Sequence, residues 1–156
     1  MSRFLIALAL AVTASSAWAR PWSGIEPGVA SSIDVVAKFG DPSRKAAVKG
    51  KQVLVYSGEQ AMKATMQVQF KIDPTTQVVE RIDVYPDMVI DVSAVEKTYG
   101  PACTGTKKDD DACYFKRQSD SKRAYYLYAK LGLAIFFKDD GKTVQMFAFL
   151  PPATPE

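Results

Sequence analysis

Histidine is absent from all 156 residues. With it go the usual general base of Ser-His-Asp and Cys-His arrangements and the commonest neutral metal ligand. Cysteine is reduced to Cys103 and Cys113, which excludes zinc sites of ordinary composition. The glycines form neither a GxGxxG nor a P-loop spacing, so no phosphate-cradling loop is expected. No pair of carboxylates stands out for acid–base work. Asp109-Asp110-Asp111 lacks the alternating ligands and glycine of a calcium loop and reads as a solvated hairpin tip. Neither sign of charge dominates: Lys and Arg number 20, Asp and Glu 17, and the bases are dispersed rather than gathered in blocks. These absences together predict no enzyme, no cofactor, no metal and no nucleic-acid partner.

What is present begins with an export leader. Residues 1–19 carry Arg3, an apolar stretch from Phe4 to Ala14, and Ala17-Trp18-Ala19 with small residues where signal peptidase needs them. Cleavage there makes Arg20 the new N-terminus. No cysteine follows the cleavage site to carry a lipid, and no later segment approaches the roughly 20 apolar residues of a membrane span. A periplasmic or secreted protein without a stable membrane anchor is expected. The remaining chain of about 137 residues is long enough to build a core without metal or many disulfides. In an oxidising compartment Cys103 and Cys113 are expected to pair. Closing so short a loop stabilises by about 2 to 3 kcal/mol.

Two segments read as short helices with defined ends. SSIDVVAKF from Ser31 has a capping serine, an acid three residues on at Asp34, apolar Ile33, Val36 and Phe39, and a stop at Gly40-Asp41-Pro42. DVSAVEKTY from Asp91 has a capping acid, apolar Val92, Val95 and Tyr99, and a stop at Gly100-Pro101. They align without a gap, Ser31 on Asp91, Val35 on Val95, Phe39 on Tyr99 and Gly40 on Gly100, as an internal repeat would. Alternating sequence follows each. Strands are predicted over Gln52–Ser57, Thr65–Ile72 and Val78–Val84, then over Cys113–Arg117, Arg123–Lys130, Leu133–Lys138 and Thr143–Leu150. Asp139-Asp140-Gly141 is a hairpin signal. The fold class is α+β: residues 20–84 and 85–156 each form a helix followed by a three- or four-stranded antiparallel meander, with the helices on one face.

Period two splits the second meander into two faces. Tyr125, Leu127, Leu133, Ile135, Phe137, Val144, Met146 and Leu150 form a plausible core. Tyr126, Tyr128, Phe136, Phe147 and Phe149, edged by Lys130 and Lys138, then face outward, opposite a first half whose matching positions are Thr, Gln and Lys. Rings offer large contact area at little entropic cost, so this set is the candidate partner-binding surface. Two other uses of the same rings stay open: an internal interface with the first half, and burial beneath Leu150–Glu156.

The segments IEPGVASSIDVVAKFGDP and MVIDVSAVEKTYGP, each leading into antiparallel strands, resemble the helix-plus-meander unit of the SmpA/OmlA-type outer-membrane assembly lipoproteins. Gly28 and Phe39-Gly40-Asp41-Pro42 carry the match. The second copy lacks the opening glycine and has Gly100-Pro101 without the intervening residue. Two such units in tandem on an exported chain, with a cysteine pair in one loop, look like the β-lactamase inhibitory proteins, which bind their target through a concave sheet. The resemblance covers nearly the whole mature chain as architecture, and it implies a protein-binding module, an inhibitor or an assembly accessory, without naming the target. The rival expectation is a periplasmic carrier of a small apolar ligand, with the same rings lining a pocket.

Overall fold

A computed structural model describes residues 20–104 and 112–151. The expected leader, the Asp109–Asp111 run and the last five residues lie outside them.

Ser31 opens the first helix, α1 (Ser32–Phe39), through a reciprocal cap. Asp34 N donates to Ser31 Oγ at 3.3 Å and Ser31 N to Asp34 Oδ2 at 2.7 Å, so two amides that the helix leaves unpaired are satisfied. Asp91 opens α2 (Val92–Tyr99) by accepting from Ala94 N at 2.8 Å. Gly40 and Gly100 end the two helices at φ 77° and 108°, a region closed to most side chains. Each helix buries a single residue, Val35 or Val95, and lies on the sheet along the face that Val35 and Val95 share with the core.

The strands are β1 (Arg44–Val48), β2 (Lys51–Ser57), β3 (Thr65–Ile72), β4 (Val79–Pro86), β5 (Phe115–Gln118), β6 (Ala124–Tyr128), β7 (Leu133–Phe137) and β8 (Val144–Phe149). The architecture is α+β as expected, with four strands in each half. The two meanders do not stay apart: β4 pairs with β8, giving one antiparallel sheet in the order β1-β2-β3-β4-β8-β7-β6-β5. Strand β1 escaped the alternation reading because Arg44–Val48 is largely exposed and has no apolar stripe. Its turn, Lys49-Gly50 with both φ positive, is the two-residue hairpin signal that would have revealed it.

The halves repeat the same bonds. Ser32 N donates to Gln77 O and Val92 N to Lys142 O, each at 2.9 Å; Val79 N donates to Ala30 O and Val144 N to Ile90 O, each at 2.8 Å. Tyr56 Oη donates to Gly40 O and Tyr128 Oη to Gly100 O, both at 2.8 Å, so in each half a buried tyrosine ties the second strand to the glycine that ends the helix. Asp83 and Ala148 occupy equivalent places in their halves and pair with one another where the halves join. Around them the helix-facing core is continuous, from Leu54, Phe70 and Ile82 through Phe149 and Phe147 to Ile135, Leu133 and Tyr128.

Cys103 and Cys113 are disulfide-bonded, with Cα atoms 4.9 Å apart. Beside the bridge, Cys103 N donates to Tyr114 O at 2.9 Å and Tyr114 N to Pro101 O at 3.1 Å, which ties the chain after α2 to the start of β5.

Candidate functional site

Burial sorts the expected contact residues onto opposite sides of the sheet. Tyr128 and Phe149 are 1% and 8% exposed and belong to the core beneath the helices; Tyr126 and Phe147 pack against that core from the same side. This corrects the face assignment made from alternation. Of the five rings, Phe136 faces away from the helices: it pairs with Tyr125 on one side and Met146 on the other. Lys130 and Lys138 are exposed but lie near opposite ends of β7, so they do not edge one patch together.

Two physical causes explain the inversion. In β6 the run Tyr125-Tyr126-Leu127-Tyr128 is apolar at every position, so period two carries no phase; the phase is set by Tyr128, whose hydroxyl must reach Gly100 O. In β8 the register shifts: Phe136 pairs with Met146 but Phe137 with Val144, leaving Gln145 unpaired in a bulge. One extra residue reverses the facing of everything after it, so Val144 points inward with Phe147 and Phe149 while Met146 points outward. The usable signal in sequence was the tyrosine itself: Tyr56 and Tyr128 stand in equivalent strands of the repeat.

The inward rings make the second half's core. Tyr114 stacks on Tyr126 with centroids 3.8 Å apart and donates from Oη to Glu96 Oε1 at 2.6 Å, anchoring α2 to the strands. Burial first, and then the bond to Glu96, pushes the Tyr114 phenol well above its ordinary range. Burial does the same for Tyr128. Both stay neutral donors at any physiological pH.

On the open side, residues in register form rows across all eight strands. One row runs Arg44, Val55, Gln69, Asp83, Ala148, Ala134, Leu127, Phe115. Ala148 and Ala134 are buried even here and make a low floor at the centre of the sheet. Around that floor stand Tyr125 and Phe136, stacked with centroids 4.7 Å apart, with Met146 and Leu127 half-buried and Phe115 46% exposed. The first half presents Gln67, Gln69, Lys71 and Arg81 at its open positions, while Val53 and Val55 lie buried among them.

At the junction Asp83 is 1% exposed and holds two cations, Lys71 Nζ at 2.7 Å and Arg81 Nε at 2.5 Å. Burying a carboxylate this deep is costly unless cations pair with it in this way. The Arg81 guanidinium lies 5.4 Å from the centre of the Phe136 ring. Since β8 separates β4 from β7, Arg81 must reach over β8 to make that contact, and the small side chain of Ala148 leaves room for it.

On the helix side a cleft of about 380 Å³ opens over the β4–β8 seam, lined by Trp22, Met88, Ile90, Tyr99, Phe147 and Phe149 among others. Among the described residues no group of three or more His, Cys, Asp or Glu gathers to hold a metal, and no helix is long and apolar enough to cross a membrane.

No family model matches this chain, and no curated protein matches it. Among solved structures, it is similar to a DUF4309 family protein (YjgB) from Bacillus subtilis subsp. subtilis str. 168, at a TM-score of 0.53 and 14% identity over 82% of each chain. At that identity the likeness is one of fold: an α+β chain built on an antiparallel sheet.

Proposed function

We propose that this is an exported protein-interaction module that grips a protein partner with the open face of its sheet, centred on Tyr125 and Phe136. The observation that carries this reading is the contrast between equivalent positions. Where the first half's open face has Val53, Lys71 and Arg81, the second has Tyr125, Phe136 and Met146. The buried sides of the two halves, by contrast, keep the same devices. Rings and a thioether held half-exposed around an alanine floor add nothing to the core; they supply contact area at low entropic cost. Binding rather than catalysis fits a face whose carboxylates, Asp73, Glu80 and Asp83, are held in structural ion pairs. The resemblance to the β-lactamase inhibitory proteins and SmpA/OmlA-type lipoproteins adds an inhibitor or an envelope-assembly accessory as the role, in the periplasm or outside the cell.

The test is capture from envelope extracts by the oxidised protein and by Tyr125→Ser/Phe136→Ser. Loss of at least about tenfold in captured partner is expected, while Val89→Ser, on an 81% exposed valine elsewhere, captures as the wild type does. Equal capture by all three would overturn the reading.

A second reading draws on the helix-side cleft. Phe147 and Phe149 line it together with Trp22 and Tyr99, a lining suited to a small apolar ligand. Native mass spectrometry showing a lipid-sized adduct that Phe147→Asp removes would favour it; a bare mass from the native source would dismiss it.

A further inference from the structure

We infer that the open face selects an acidic partner: a protein segment that sets a carboxylate on Arg81 and Arg123 and, beside it, an apolar side chain on Phe136 and Tyr125. This inference rests on the contact-face reading above.

The charges of the face are not balanced. Lys51 faces two carboxylates, Asp73 and Glu80, at 3.3 and 2.8 Å, which leaves one negative charge over at that end of the first half. Lys71 and Arg81, however, share the single carboxylate of Asp83. Arg123 donates to neutral Gln145 at 2.7 Å, and Arg117 has the Phe115 ring at 5.3 Å. Positive charge therefore flanks the aromatic pair, at Arg81 beside Phe136 and at Arg117 and Arg123 beside Tyr125. Arg81 lies 5.4 Å from the Phe136 ring centre, and Arg123 bonds Gln145, the neighbour of the Met146 that pairs with Phe136, so both arginines border the row that holds this ring.

Arg81 is also held ready. Its Nε is tied to buried Asp83 and its Cζ stands over the Phe136 ring, while its side chain keeps 28% of its surface open. Its terminal nitrogens make no hydrogen bond to a described residue. A guanidinium fixed this way loses little freedom when it takes a carboxylate with its remaining donors. The Phe136 ring is already engaged by Tyr125 and Arg81, so it offers little platform for a stacked base. An aliphatic or aromatic edge beside an acid suits it better than a nucleotide does.

The experiment uses the exported, oxidised full chain labelled with nitrogen-15 and three probes: a random glutamate–tyrosine copolymer, a lysine–tyrosine copolymer, and an oligothymidine. The glutamate–tyrosine copolymer should shift the amides of Arg81, Arg123 and Phe136. Its affinity should fall about tenfold between about 0.05 and 0.5 M salt, and about fivefold in Arg123→Glu, an exposed position whose change leaves the core untouched. Equal or tighter binding of the lysine–tyrosine copolymer at the same rings would overturn the acidic preference and leave the contact face standing. Preferential binding of oligothymidine would overturn it in favour of a nucleic acid. Shifts from none of the three at this face would overturn the inference and the contact face together.

Discussion

The two halves of this molecule are alike where they are hidden and unlike where they are open. Beneath the helices, Val35 matches Val95, Tyr56 matches Tyr128, and the bonds that dock each helix on its hairpin recur at the same lengths. On the other side of the sheet, lysine, arginine and glutamine in the first half give way to two rings, a methionine and alanines in the second. Stability asks the same of both halves, since each must bury one helix against four strands. The open face carries no such obligation, so the difference there supports the proposed contact face.

Large core losses sharpen that contrast most. Tyr128→Ala and Phe149→Ala should each cost about 3 to 5 kcal/mol in chemical denaturation, whereas Phe136→Ser, on the open side, should cost about 1 kcal/mol. Comparable losses at Phe136 and Tyr128 would erase the distinction between the two faces. Next come the helix-ending glycines. Gly40→Ala meets nothing nearby and should cost about 1 to 3 kcal/mol for its backbone conformation alone. Gly100→Ala should cost more, because its new Cβ would fall 2.1 Å from Ala112 O in the disulfide-bearing segment. The reverse order would deny that the second half is the more tightly constrained at this point.

Smaller effects probe the likeness instead. Tyr56→Phe and Tyr128→Phe should each cost about 1 kcal/mol, because each leaves one carbonyl without its hydroxyl donor. A clear inequality would mean that the tyrosines are not equivalent. The hairpin acids supply a pH test. Asp73 is held at about 2 by the amides of Thr76 and Thr75, and Asp140 at about 2 by the Thr143 hydroxyl and then the amides of Thr143 and Lys142. The capping acids Asp34 and Asp91 are lowered as well. A carboxylate depressed in the folded state stabilises fully above its unfolded value, and that contribution is lost as protons bind. Melting temperature should therefore hold from neutral pH down to about 4 and decline between about 4 and 2. Asn at position 73 or 140 should reduce that decline by similar amounts.

Much of this architecture was legible in sequence because its signals are local. Ser31 with Asp34, and Asp91 by itself, write the helix starts, Gly40 and Gly100 write the stops, and Asp139-Asp140-Gly141 writes a turn. The cysteine pair followed from export and spacing alone. What could not be read was phase. Four consecutive apolar residues at Tyr125–Tyr128 permit either facing, and the Gln145 bulge depends on the partner strand rather than on β8 itself. The candidate contact residues thus moved from one side of the sheet to the other, with Phe136 the ring that stayed. The joining of β4 to β8 was hidden for a related reason: antiparallel pairing between distant segments leaves no mark at short range.

Hydroxyl-radical footprinting of the protein with its captured partner tests the central claim most directly. Protection is predicted at Tyr125, Phe136, Met146 and Tyr85, with Ile33 and Val29 on the helix side reacting as freely as in the unbound protein. Protection centred on the helix side, with Phe136 and Tyr125 unchanged, would contradict the account.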